Sequence, residues 1–157
     1  MSIWVELLRW FHVLGATVLL GTGAGIAFFM LMAHRTAEPA IIAHVAGTVV
    51  VADGLFTATA VVIQPITGIL LAQAVGWPMT TPWIVLSLAL YLGTGLCWLP
   101  VVWIQWRIRN LARASVAAGE PLPDSYRRLF RAWVLLGIPA FAFVIAIVWL
   151  MVARPEL

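Results

Sequence analysis

The chain has 157 residues, of which 64% are hydrophobic and 10% are charged, and its formal net charge is +3. Soluble domains carry about 25% charged residues, so this composition excludes an ordinary soluble domain and indicates a membrane protein. The small, scattered positive charge argues against nucleic-acid binding. A single cysteine, Cys97, excludes an intrachain disulfide and a cysteine metal cluster.

Four apolar runs are long enough to cross a bilayer, which takes roughly 20 residues. They lie at about residues 7–33, 49–74, 83–106 and 132–153, and tryptophans lie near their ends, as expected at lipid headgroups. The first run is longer than the apolar part of a signal peptide, so we expect it to remain as a membrane helix. The sequence predicts an all-α, polytopic membrane protein whose residues 1–157 form a single four-helix transmembrane bundle in the lipid bilayer.

The first run carries a histidine, His12, near its start. At 100° per residue, His12, Ala16 and Gly23 fall on one helix face, with Gly15 beside them. Such small residues admit either a closely packed helix or a flat ligand. Histidines within a membrane are rare and costly, so His12 is the first candidate for a functional residue.

The second run continues a helical pattern back to Pro39, a residue suited to a first helical turn. Further along, Gln64 belongs to a polar stripe that we expect to face the bundle interior. Pro65 has no N–H, so it should remove the backbone hydrogen bond to Val61 and kink the helix.

Asp53 lies on the same polar stripe of the second run. Two interpretations are open for it. One is a proton-relay carboxylate. The other, which we expect, is an ion pair with Arg107 or Arg131 near the membrane boundary.

The third run places Ser87 and Tyr91 on one face, whereas the fourth run has almost no polar side chain. A rise of 1.5 Å per residue brings Ser87, Tyr91 and Gln64 to depths similar to that of His12. We therefore expect a polar cluster of these four side chains. Either His12 ligates a metal or haem iron while a hydroxyl or amide holds its other nitrogen, or His12 makes an ordinary interhelical hydrogen bond.

The arginines predict an orientation. Seven of them lie in the links between runs one and two and between runs three and four, whereas only Arg9 and Arg154 lie on the other side. By the positive-inside rule both links are cytoplasmic and both termini are outside. We expect a multi-pass protein of the bacterial inner membrane with both termini in the periplasm.

Three passages carry a family resemblance: residues 10–15 (WFHVLG), 64–68 (QPITG) and 149–155 (WLMVARP). They resemble a bacterial family of predicted four-helix integral membrane proteins whose domain has no assigned function, over nearly the whole chain. That family is distantly similar to the CopD copper-resistance proteins and to HemJ, which share an early histidine that HemJ associates with haem b. The resemblance carries over only His12. HemJ also relies on a lysine, and this chain has none, so the HemJ reaction is not implied.

Two functions from different classes remain. In the first, the protein binds haem b and is redox-linked, with His12 as axial ligand. In the alternative, it is a non-catalytic accessory or scaffold subunit of a larger membrane complex. The second haem ligand would be absent, a group other than histidine, or His12 of a second protomer in a homodimer. The sequence assigns no reaction. The predicted site comprises His12, Gly15, Ala16 and Gly23 around the haem, supported by Gln64, Ser87 and Tyr91.

Overall fold

A computed structural model describes residues 2–156 of the chain; Met1 and Leu157, the ends of the predicted 1–157 unit, lie outside them. The described part is helical and contains no strand. The elements are α1 (Ile3–Thr36), α2 (Pro39–Ala52), a π-helical turn (Asp53–Thr57), α3 (Ala58–Val75), α4 (Pro82–Ala118) and α5 (Asp124–Ala153). Because α2, the π turn and α3 are continuous, four helices are long and apolar enough to span a membrane. The predicted all-α, four-helix membrane fold is confirmed.

The helices begin and end at residues that suit those positions. Pro39 and Pro82 are the first residues of α2 and α4, where a missing N–H costs no hydrogen bond. Gly76 and Gly119 follow α3 and α4 with φ of 82° and 66°, the left-handed conformation that glycine adopts most easily. Each helix extends beyond its predicted apolar run. At 37 residues, α4 is about 55 Å long, well beyond a bilayer core of about 30 Å.

The π turn is an irregularity that the sequence analysis did not anticipate. The N–H of Ala58 donates to the carbonyl of Asp53, five residues earlier, so the turn holds one residue more than an α-helical turn. Such turns occur mostly singly inside α-helices, often at functional sites. The second span therefore has two irregular places, this turn and Pro65 within α3.

The core is concentrated at one end of the bundle. We call the end with links 37–38 and 119–123 the arginine-rich end, and the end with both chain termini and link 76–81 the terminal end. At the arginine-rich end, buried residues of α1, α2, α4 and α5 form one cluster: Ile26, Met30, Ala33, Ile42, Ala46, Val49, Val101, Ile104, Ile108, Ala112, Tyr126, Phe130 and Trp133. At the terminal end, the buried apolar cluster consists of Trp83, Ile84 and Leu150.

The helix pairing changes along the bundle. At the arginine-rich end, α2 packs against both α1 and α4. Towards the terminal end, α1 packs on α3 and α4 packs on α5, and α3 with α4 is not among the closely packed helix pairs. The terminal half thus consists of two helix pairs with a cavity between them.

Candidate functional site

A cavity with a volume of about 460 Å³ lies at the terminal end. This volume is typical of sites for small molecules and cofactors. The cavity brings together most of the predicted site, because its lining includes His12, Ala16, Gln64, Ser87 and Tyr91. Two predicted residues, Gly15 and Gly23, are not part of that lining.

The imidazole of His12 is held against α3. Its Nδ1 lies 3.0 Å from Oγ1 of Thr67. That hydroxyl is 2.9 Å from the carbonyl oxygen of Ile63, one turn earlier, to which it donates its hydrogen. Since a threonine hydroxyl has a single hydrogen, we assign Oγ1 as the acceptor from His12; in this assignment Nδ1 carries the ring proton and Nε2 carries the lone pair. The arrangement leaves Nε2 able to bind a metal or accept a proton.

Two glycines allow α1 and α3 to come close. A Cβ atom added to Gly68 would lie 2.9 Å from Cε1 of His12, so only glycine leaves room for the ring there. Likewise, a Cβ on Gly15 would lie 2.5 Å from Oε1 of Gln64. Gly15 therefore faces the neighbouring helix, whereas a Cβ on Gly23 would meet no atom within 4 Å.

Of the other polar residues of the predicted cluster, Tyr91 and Ser87 bond to backbone, whereas Oε1 of Gln64 is buried without a hydrogen-bond partner. The hydroxyl of Tyr91 donates to the carbonyl of Val61, which lacks its α-helical donor because Pro65 has no N–H. Ser87 donates to the carbonyl of Trp83, 2.7 Å away on its own helix. A hydroxyl does contact His12, as one of the two interpretations expected, but it belongs to Thr67, which lies outside the predicted cluster.

Sequence reasoning did not assign several residues that surround the same cavity. Arg9 and Arg154 bring positive charge to its lining, and Met79 and Met151 bring thioether sulfurs. Arg9 precedes His12 by three residues, a helical spacing that places both on one side of α1 and was a usable signal. Arg154 and the methionines come from other elements, so only the tertiary structure brings them to His12.

Residues 6–155 match the family model described as predicted integral membrane protein (DUF2269). The chain belongs to this family. No curated protein and no solved structure gives a significant match. The predicted resemblance to a family of integral membrane proteins is thereby confirmed, and the more distant similarity to CopD and HemJ remains an expectation.

Asp53 lies in a second polar cluster, at the π turn. Its side chain is 4% exposed, and the polar side chains that it faces are Thr57, Gln105 and Trp98. The expected ion pair with Arg107 or Arg131 is wrong. Both arginines are exposed on the bundle surface, whereas Asp53 points into the interior.

The two remaining histidines are not near the cavity. His34 stacks on Phe130 with ring centroids 3.7 Å apart, and its Nδ1 lies 3.0 Å from the hydroxyl of Tyr126. His44 is exposed. Residues 2–156 contain no group of three or more His, Cys, Asp or Glu side chains that could hold a metal ion. His12 is thus the histidine available to a ligand in the cavity.

Proposed function

We propose that this small integral membrane protein binds haem b in the terminal cavity, with Nε2 of His12 as an axial ligand, and takes part in electron transfer. The observation that carries the proposal is the hydrogen bond of Thr67 to Nδ1 of His12. Haem-ligating histidines are commonly oriented by a hydrogen bond to the other ring nitrogen. Here that bond orients the ring, and the assigned tautomer keeps Nε2 free for ligation.

The remaining lining fits the chemistry of a haem. Its walls are mostly apolar, which suits a macrocycle, and Ala16 lies one helical turn from His12 without filling the space. Arg9 and Arg154 supply charge complementary to two propionates. Bound haem would supply one-electron chemistry, and the protein would orient the ligand and exclude water. We further place the cavity on the periplasmic side of a bacterial inner membrane, following the arginine distribution.

The absorption spectrum of the purified protein, oxidised and reduced, tests this proposal. Protein from haem-replete cells should show a Soret band, with α and β bands that sharpen on reduction. His12→Ala should remove the Soret band, and added imidazole should restore part of it by entering the vacated position. His44→Ala is the matched control, because His44 is exposed and lies outside the cavity lining. Thr67→Val should lower haem occupancy, because the ring loses its support.

Experiments can distinguish two candidates for the second axial ligand of the haem iron. Met79 and Met151 belong to the cavity lining, and a thioether is a common partner of histidine on haem iron. If one of them ligates, its replacement by leucine should change the reduced spectrum while the protein keeps its oligomeric state. If His12 of a second protomer ligates instead, the spectrum should depend on a homodimer and not on either methionine.

A folded wild-type protein that stays colourless after haem is supplied would overturn the proposal. His12 would then serve helix packing through Thr67 and Gly68. The accessory or scaffold role in a larger membrane complex would be the remaining hypothesis.

A further inference from the structure

The polar cluster at the π turn has no role in the proposed haem site. Three of its oxygen atoms are buried and make no hydrogen bond of normal distance and angle, although Thr57 and Gln105 interact with the Asp53 carboxyl group: Oδ2 of Asp53, Oγ1 of Thr57 and Oε1 of Gln105. The residues are 4%, 7% and 1% exposed. Because buried polar atoms nearly always make well-formed hydrogen bonds, three oxygens in one place that do not make them point to a further partner.

The cluster also lacks a compensating charge. Of the described acidic side chains, Asp53 alone is buried; the exposed ones are Glu6, Glu38, Glu120, Asp124 and Glu156. The groups that interact with Asp53, namely Thr57, Gln105 and Trp98, are all neutral. An ionised carboxylate buried without a counter-charge is strongly unfavourable, so the partner that this cluster calls for is a cation.

The ligand atoms define which cation fits. One carboxylate, one hydroxyl and one amide oxygen are hard ligands with a single negative charge. They suit a monovalent ion better than Ca²⁺ or Mg²⁺, which are usually bound with more ligands or additional carboxylates. We propose that Asp53, Thr57 and Gln105 form a buried site for one monovalent cation, and that this cation is either Na⁺ or a proton.

The π turn positions this site. Asp53 and Thr57 are its first and last residues, and both side chains are buried on the face that meets Gln105 of α4. The neighbouring Leu55 and Phe56 of the same turn are exposed. Trp98 Nε1, also buried and without a well-formed hydrogen bond, faces Asp53 and can donate to the carboxylate oxygen that the cation leaves free.

Binding of Na⁺ to the purified protein tests whether the bound cation is Na⁺. Radioactive Na⁺ is titrated at fixed pH and ionic strength, with N-methyl-D-glucamine as the replacement cation. Wild-type protein should bind one ion per chain saturably. Asp53→Asn should abolish binding, and Thr57→Val should weaken it about ten-fold, the effect of losing about 1.4 kcal/mol. Thr59→Val is the matched control, because Thr59 is exposed and its hydroxyl bonds to Leu55 of its own helix.

Infrared spectra recorded without Na⁺ test whether the bound cation is a proton. A proton on Asp53 gives the carbonyl stretch of a neutral carboxylic acid, which should be present in wild type and absent in Asp53→Asn. Because the band is absent in Asp53→Asn and the other described acidic side chains are exposed, it can be assigned to Asp53. Circular dichroism establishes that each variant is folded, and Thr57→Val retains the carboxylate if Asp53→Asn does not fold.

The two assays have distinct outcomes. Saturable Na⁺ binding that Asp53→Asn abolishes supports a sodium site, and the acid band supports a proton site. An ionised Asp53 in protein that binds no Na⁺ would overturn the inference and leave a hydrated polar cluster. Neither assay depends on haem, so this site and the proposed function can fail separately.

Discussion

The arginine-rich end and the terminal end of the bundle are built from different residues. At the first, alanines such as Ala33, Ala46 and Ala112 are almost completely buried, so neighbouring helices approach closely. At the second, two helix pairs diverge around a cavity lined by polar and charged groups as well as apolar ones. In a lipid environment, close packing of this kind stabilises helix association, whereas polar groups facing a cavity are kept mainly for function.

The second span links these two regions and is irregular where they meet. The π turn and Pro65 both fall between the closely packed α2 and the end of α3 that borders the cavity. Both features are known causes of a change in helix direction. The arginine-rich end thus holds the bundle together, and the terminal end leaves a space large enough for a ligand.

The largest difference between the two ends is expected in a labelling test of which end faces the cytoplasm and which faces the periplasm. The arginines predict that the arginine-rich end is cytoplasmic. In a Cys97-free background, a cysteine at Thr80 should react with a membrane-impermeant reagent applied from the periplasm, and one at Ala117 should not. Ala117 is suitable for labelling because it is exposed in the basic extension of α4. Periplasmic labelling at position 117 would reverse the proposed orientation.

Placing the same substitution in both regions tests the structural comparison. Ala112→Leu should lower the free energy of unfolding by about 1–3 kcal/mol, because Ala112 is completely buried where helices meet. Ala16→Leu should change it by less than about 0.5 kcal/mol, because the added atoms enter the cavity. Unfolding in mixed micelles measures both. An equal loss in the free energy of unfolding at the two positions would mean that the cavity is closed in mixed micelles.

The span count, the start of the second span at Pro39 and the freed carbonyl of Val61 could all be predicted, because each depends on local sequence. The structure confirms the helices and the proline positions. The partner of His12 could not be predicted, because Thr67 meets it only when α1 packs on α3. The arginine partner predicted for Asp53 was wrong for a related reason. Residue number gives the depth of a side chain in the membrane, but it does not give the rotation of each helix about its axis.

The smallest effect and the most specific test concern the hydrogen bond between Tyr91 and Val61. Tyr91→Phe should lower the free energy of unfolding by about 1 kcal/mol, because the carbonyl that Pro65 frees then has no donor. Pro65→Ala restores an N–H that can bond to Val61. In that background, Tyr91→Phe should therefore cost close to nothing.

The double-mutant cycle isolates this dependence, because it compares the cost of the same change with and without the proline. Tyr126→Phe is the matched control: it removes a hydroxyl that bonds to His34 at the arginine-rich end, so its cost should be equal in both backgrounds. If Tyr91→Phe also costs the same in both, Tyr91 does not serve the freed carbonyl. The link between α3 and α4 beside the cavity would then rest on apolar packing, and the polar character of that wall would need another explanation.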